Sequence, residues 1–298
     1  MTADELLHDL RTLALQAGER MQAALEEGGQ HDVEHKGRVD LVTRVDKEVQ
    51  AFLVDAIGSR FAGESIVGEE DEHDGRPSDA GPVWFVDPID GTTNYVHGFP
   101  FYCVSIARYA TDGSAAGVVF APALDELFSA STGHGATLER PMRGMAPIPL
   151  RTSSCARIDD ALLATGFPYE RGGTARLNLT LVGHALTRCR GIRRAGSAAL
   201  DLCYLGAGRL DGYWEFALHP WDMAAGLLVA REAGARITDF EGEEDVLWGQ
   251  RLCASAPALH EELLGMIAAA HADPTLDVLA PPFDGDVPRR GPLPGGAR

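Results

Sequence analysis

Four apolar residues, Val83-Trp84-Phe85-Val86, run straight into Asp87-Pro88-Ile89-Asp90-Gly91-Thr92-Thr93. A short apolar run bounded by turn residues predicts a buried strand. Pro88 cannot donate to a sheet ladder, so the strand is expected to end there and the chain to turn. That turn can aim the Asp87 and Asp90 carboxylates and the Ile89 carbonyl at one point. All three are hard oxygen ligands of the kind magnesium takes. Gly91 and Thr92 follow with backbone N–H groups that could face a phosphate. Two metals about 3.5–4 Å apart need a bridging carboxylate, and Asp87 is placed to bridge. Unbalanced, such acids would raise one another's pKa. Taken alone, the same residues also make an ordinary polar turn.

Charge bears on the choice. The 298 residues carry 26 Lys and Arg against 44 Asp and Glu, a net charge of -18. A chain this acidic should repel nucleic acid, anionic membranes and a phosphorylated substrate alike. Phosphate chemistry here therefore requires local positive charge, for which divalent cations are the obvious source. The five cysteines, Cys103, Cys155, Cys189, Cys203 and Cys253, form no CxxC pair. They read as reduced thiols rather than a disulfide or zinc framework. His97 and His219 lack the spacing of a zinc site. Neither a signal segment nor a membrane-length apolar run is evident, so a cytoplasmic location is expected.

Helical stripes open the chain. Thr2 and Glu5 form a capping-box pattern before Leu6, Leu10, Leu13, Ala14, Ala17 and Met21. Val45, Val49, Phe52, Leu53, Ala56 and Ile57 mark a second helix. An acidic, Gly- and Pro-containing stretch from Asp71 to Pro82 reads as an exposed loop. Strands are expected over 103–109, 116–121 and 127–130, an antiparallel run. Residues 141–150 look irregular and mark a seam. Further on, helices are expected over 196–208, 221–233 and 260–271, the first rich in small residues and suited to tight packing. A strand is expected over 236–239. The organisation is thus residues 1–150, residues 151–272, and a tail over 273–298 with six prolines and four glycines, a composition that favours disorder.

Several segments then match one family in order. Asp87-Pro88-Ile89-Asp90-Gly91-Thr92-Thr93 resembles the first signature of the inositol monophosphatase family, and Trp221-Asp222-Met223-Ala224-Ala225-Gly226 its second. Gly68-Glu69-Glu70 matches a further element, as does Lys36 followed by Asp40-Leu41-Val42-Thr43-Arg44-Val45-Asp46. Arg194-Ala195-Gly196-Ser197-Ala198-Ala199-Leu200-Asp201 matches the substrate-side segment. The resemblance covers about residues 4–270. It is closest to the bacterial inositol-1-monophosphatase-like branch, through Ala164-Thr165-Gly166-Phe167-Pro168 and the stretch from Arg193 to Gly242.

The resemblance implies an α+β fold, a layered αβαβα sandwich of the sugar-phosphatase type, with the active site where the halves meet. It implies two or three Mg2+ ions per site. Glu69, Asp87 and the Ile89 carbonyl would hold the first; Asp87, Asp90 and Asp222 the second; a third would sit near Glu69. Thr92, supported by Asp46, would orient the attacking water beside Glu69. Gly196, Ser197, Ala198 and Glu215 would face substrate hydroxyls. It also implies lithium sensitivity and a homodimer. On the residues alone Asp222 could be merely a helix cap, Trp221 a core residue, Glu70 a solvated neighbour of Glu69, and the acidic run from Glu241 to Asp245 a solvated loop.

The expected reaction is hydrolysis of inositol monophosphate, or a similar small polyol or sugar phosphate, by a metal-activated water. A 3′-phosphonucleotide, fructose bisphosphate or histidinol phosphate could use the same centre. An aspartyl-phosphate phosphatase is a rival, although its Asp-x-Asp-Gly motif is one residue shorter. A non-catalytic partner of transcription or ribosome-assembly machinery is another, with no basic RNA-binding face in the sequence to support it.

Overall fold

The computed structural model describes residues 2–28, 33–35, 41–71, 81–168 and 173–272. Lys36 and Asp40, residues 72–80 of the acidic stretch, and the tail from 273 lie outside the described residues.

The first helix, α1 (Ala3–Glu26), is capped as its sequence dictates: Thr2 and Glu5 exchange hydrogen bonds, and Leu6, Leu10, Ala14, Ala17 and Met21 are buried. Its small residues let it lie close to the sheet below. A Cβ on Gly18 would meet the Phe120 ring at 2.4 Å. Strands β1 (Val33–His35) and β2 (Leu41–Thr43) pair antiparallel. Helix α2 (Arg44–Arg60) starts with a second capping box, Thr43 with Asp46. Val45, Val49, Leu53 and Ile57 of its stripe are buried, while Phe52 is half-exposed beneath the Arg20 guanidinium, 3.7 Å from the ring centroid.

Seven strands follow in spatial order: β3 (Ser65–Gly68), β4 (Val83–Asp90), β5 (Cys103–Tyr109), β6 (Ala115–Ala121), β7 (Glu126–Ser131), β8 (Ala136–Arg140) and β9 (Met145–Pro149). Only β3 and β4 are parallel; the other pairs are antiparallel. The strand expected to stop at Pro88 continues to Asp90. Asp87 pairs with Ser105 and Asp90 with Cys103, so Pro88 and Ile89 stand opposite Val104 alone. This is a bulge, which accommodates a residue with no N–H and re-aims its neighbours. Residues 141–150 are likewise more regular than expected. A 3-10 turn over Pro141–Arg143 leads into β9, whose Pro147 and Pro149 are tolerated because the strand lies at the sheet edge.

The chain beyond builds a five-stranded mixed sheet from β10 (Leu162–Thr165), β11 (Gly191–Arg193), β12 (Gly212–Phe216), β13 (Arg236–Thr238) and β14 (Arg251–Ser255). The spatial order is β11-β10-β12-β14-β13. The remaining helices are α3 (Thr92–Val96), α4 (Gly173–Leu186), α5 (Ala198–Gly206), α6 (Pro220–Glu232) and α7 (His260–His271).

Side-chain alternation sets the layers. Trp84, Val86 and Ile106 turn to α1 and α2, whereas Phe85, Ala107 and Val119 turn to α5 and α6. In the smaller sheet Tyr213 and Ala254 face α5 and α6, and Trp214 and Cys253 face α4 and α7. The order is therefore helices, seven-stranded sheet, helices, five-stranded sheet, helices: an αβαβα sandwich. Both faces of β4 are covered, which is why its sequence reads as an unbroken apolar run. The middle helices pack closely. A Cβ on Gly226 would lie 2.9 Å from that of Leu202 and 3.0 Å from the Ala199 carbonyl. All five cysteines are free thiols; Cys155 and Cys189 are only partly buried. No helix among the described residues is long and apolar enough to cross a membrane.

A histidine is buried against the smaller sheet. His260 is fully enclosed, with Nδ1 2.9 Å from Ser255 Oγ and Nε2 2.9 Å from Thr238 Oγ1. Burial, then the nearby Arg236, lower its pKa to about 4 from 6.5, against an opposing contribution from Glu261. A depressed histidine binds its proton more readily when unfolded. Its neutral form thus stabilises the fold above pH 6.5, and that stability is lost as pH falls towards 4. Wild-type protein should lose about 1–2 kcal/mol more than His260→Gln between pH 8 and pH 5. Urea unfolding at both pH values measures it; equal losses would remove His260 from the account.

Candidate active site

The bulge in β4 places the acids. Asp87 is 1% exposed and Asp90 9%. Asp90 Oδ2 is held from across the molecule: Ser197 Oγ donates at 2.6 Å and the Ala199 amide at 2.7 Å, with Cys103 Sγ at 3.8 Å. Burial still lifts the Asp90 carboxyl to about 6 against those hydrogen bonds. Asp222 sits in the first turn of α6, where its Oδ2 accepts the His219 amide at 2.6 Å. The cap expected from the residues alone is thus present. Burial raises the Asp222 carboxyl well above the usual range, with the charges of Glu69, Asp90 and Glu215 adding.

Asp87 lies among the others. Its pKa is pushed well up by burial and then by the charges of Glu69, Asp90 and Asp222, and a hydrogen bond with Glu69 adds to this. Asp87 Oδ1 is buried with no hydrogen-bond partner. Among the described residues no three His, Cys, Asp or Glu side chains stand in the geometry of a ready-made metal cage. The chemistry of the set nonetheless fits a hard divalent cation. Four carboxylates act on one another across a buried space, all donors are oxygen, and one oxygen is orphaned where leaving it unpaired is costly.

Beside the acids, Thr92 opens α3. Its Oγ1 lies 3.1 Å from Asp46 Oδ1 and 3.0 Å from the Ile89 carbonyl. One hydroxyl hydrogen serves these two acceptors, so the lone pairs face elsewhere. Asp46 is itself fixed: its other oxygen accepts the Thr43 amide at 2.8 Å and the Thr43 hydroxyl at 2.5 Å. Burial raises the Asp46 carboxyl above its ordinary value, against those bonds. Gly91, at φ +94°, makes the turn into α3, a conformation L side chains resist.

Glu215 comes from β12, and the Tyr213 hydroxyl donates to it. Burial lifts it to about 7, against that bond and the charge of Arg194. A Cβ on Gly166 would overlap its carboxylate, at 1.8 Å from Oε1. Ser197 and Ala198 are buried at the start of α5, and Gly196 precedes them. His219 is absorbed by stacking on Trp221, with centroids 4.6 Å apart.

Supporting residues escaped the sequence reading. Gln50 Oε1 accepts the Glu70 amide, Gln50 Nε2 donates to Asp71, and Asp71 accepts the Gly68 amide, all at 2.9 Å. These bonds pin the loop that carries Glu69. Asp201, 2% exposed, is a further buried acid, raised well above its range by burial and by Glu215. Asn94 bridges segments from both halves. Gln50 and Asn94 have no local signal, because they act on residues distant in sequence, whereas Asp201 closes the Arg194–Asp201 segment already singled out.

This layering of sheets and helices around a buried acidic cluster defines a known class. A model of the inositol monophosphatase family matches residues 3–272. The chain belongs to that family. It is 39% identical over 256 residues to the Nus factor SuhB of Vibrio cholerae, covering 84% of this chain and 92% of that protein. It is also 39% identical over 267 residues to the inositol-1-monophosphatase of Synechocystis, covering 88% and 90%. The crystal structure of the extragenic suppressor protein SuhB from Bartonella henselae superposes with a TM-score of 0.80 at 34% identity, covering 88% of this chain and 98% of that one.

Proposed function

We propose that the chain is a magnesium-dependent phosphomonoesterase acting on inositol monophosphate or a similar small polyol phosphate. The carrying observation is the orphaned Asp87 oxygen amid Glu69, Asp90 and Asp222, in a bulge whose Ile89 carbonyl meets the fixed Thr92–Asp46 pair. Glu69, Asp87, Asp90, Asp222 and the Ile89 carbonyl would hold the cations. When bound, these supply positive charge to the phosphoryl oxygens and lower the pKa of water.

The chain's own residues do the rest. Thr92 Oγ1 donates to Asp46, so its lone pairs can accept a hydrogen from the attacking water and fix its direction of approach. Glu69 would take that water's other proton. Gly91 and Thr92 present amides at the start of α3 to the phosphate. Ser197, Ala198 and the Gly196 backbone face the substrate hydroxyls. Glu215, oriented by Tyr213, accepts from one of them, which favours a polyol over a simple alkyl phosphate.

The test is phosphate release from myo-inositol 1-phosphate, set beside fructose bisphosphate, histidinol phosphate and a 3′-phosphonucleotide. Turnover should require millimolar-range magnesium, since such sites keep several waters and bind through few carboxylates. It should vanish in excess EDTA and return on adding magnesium. Full turnover in EDTA would sink this reading.

A second reading is favoured by one finding, the name of the Vibrio cholerae relative: attachment to transcription machinery. A catalytically dead variant that still co-purifies with RNA polymerase would support it, and loss of all polymerase association in wild-type protein would count against it.

A further inference from the structure

One side chain touches both halves of the site without being a candidate ligand. Asn94, in the first turn of α3, directs its Nδ2 at the Phe101 carbonyl, 2.6 Å away, and the Ala195 carbonyl, 2.8 Å away. The Gly196 carbonyl lies 3.5 Å off. Both amide hydrogens are thus committed, one within the first half and one across to the second. The orientation is chemically forced, since the amide oxygen could not face two carbonyl oxygens.

Three backbone segments meet at this amide. A Cβ on Gly91 would lie 3.0 Å from the Phe101 oxygen and 3.1 Å from the Gly196 oxygen. Gly196 adopts φ +91°, and a Cβ there would lie 3.2 Å from Asn94 Nδ2. Immediately after Gly196, Ser197 Oγ and the Ala199 amide grip Asp90. The start of α5 is therefore attached to the first half by its own grip on Asp90, by the Ser197–Cys103 contact and, at Ala195, by the Asn94 amide.

We propose that Asn94 is a positioning residue that sets the register of the Ala195–Ala198 segment against the Asp87–Gly91 bulge, and through it the fit of the substrate's polyol part. The proposal rests on the functional reading above, in which Gly196, Ser197 and Ala198 face the substrate while Thr92 and Asp46 orient water. Asn94 touches the first group and not the second. Its loss should therefore weaken substrate binding more than it slows the step that follows.

Asn94→Asp is nearly isosteric but sets a carboxylate oxygen against two carbonyls; Asn94→Ala simply removes both bonds. Two measurements on each purified full-length variant decide the matter. With myo-inositol 1-phosphate at saturating magnesium, KM should rise about tenfold or more while kcat stays within about threefold. Hydrogen–deuterium exchange should quicken about tenfold in residues 195–201, with both sheets exchanging as in wild type. A kcat loss at unchanged KM, or wild-type values of both, would overturn the proposal. So would faster exchange spread evenly over both sheets, since the amide would then be holding the fold rather than the segment. Should wild-type protein release phosphate from none of the esters, the functional reading fails on its own. The exchange comparison still decides whether Asn94 braces the segment.

Discussion

Asp87→Asn should abolish phosphate release and, in EDTA, make the protein more stable than wild type. The two effects share one cause. Asp87 is buried beside Glu69, Asp90 and Asp222, whose charges raise its pKa after burial itself, and its Oδ1 has no partner. Folding the metal-free chain therefore concentrates like charges in a space that water hardly reaches. Asparagine has nearly the same shape, carries no charge, and offers an amide that can donate to a neighbouring carboxylate. Each kcal/mol of relief corresponds to about 2–4 °C in melting temperature for a domain of this order of size. A rise of at least about 2 °C in EDTA is expected. In magnesium the order should reverse, because a ligand bound only by the folded state stabilises it by mass action, and the variant has lost a central donor. The several kcal/mol that cations contribute to phosphoryl charge stabilisation correspond to a turnover loss of about 1000-fold or more. Melting curves in EDTA and in magnesium, run beside the phosphate assay, check all three. A variant that melts below wild type in EDTA would show that the acids are balanced by protein groups alone.

Asp87 and Asp90 were legible because they are local in sequence, whereas Glu69 and Asp222 were implied only by the family resemblance. Asp87 and Asp90 are three residues apart at the end of one apolar run, and Asp222 marks the start of a helix. Helices α1 and α2 were legible for the same reason, since a capping box and a stripe of apolar residues are short-range patterns, whereas α4 (Gly173–Leu186) was not expected from the sequence. The continuation of β4 beyond Pro88 was not. A proline argues against a ladder, and only the partner strand shows that two residues of β4 face one of β5. The edge strand β9 was hidden by its two prolines and by having a single neighbour. The brackets around the site were hidden altogether. Gln50 acts on a loop about twenty residues away, and Asn94 on a carbonyl about a hundred residues away. Glutamine in a helix and asparagine near a turn are unremarkable in sequence, and their roles come from what the layers bring within 3 Å of them.

Thr92→Ala separates orientation from binding. Thr92 is 5% exposed, and its hydroxyl bridges two fixed acceptors, Asp46 Oδ1 and the Ile89 carbonyl. Asp46 cannot drift, because the Thr43 amide and hydroxyl hold its second oxygen at the head of α2. The hydroxyl is therefore a rigid acceptor whose direction comes from α2 rather than from the substrate. In the proposed reaction it contacts the water and not the ester. Removing it leaves the carboxylates, the Gly196–Ala198 segment and Glu215 untouched, so substrate should bind nearly as before. The water loses its fixed approach, and misplacing a reacting atom by about 1 Å can cost about 100-fold in rate. The expected result is a kcat lower by about 100-fold with KM within about threefold. Serine at position 92 keeps the oxygen but loses the methyl group that helps fix its rotamer, so Thr92→Ser should recover most of the rate. Asp46→Asn should fall between the two, since its amide can turn a donor towards Thr92 and reverse the hydroxyl, which would then donate to the water instead of accepting from it. Steady-state kinetics on the three variants test the chain from Thr43 to the water. A KM rise in Thr92→Ala with kcat preserved would place the hydroxyl on the substrate and remove it from the attack.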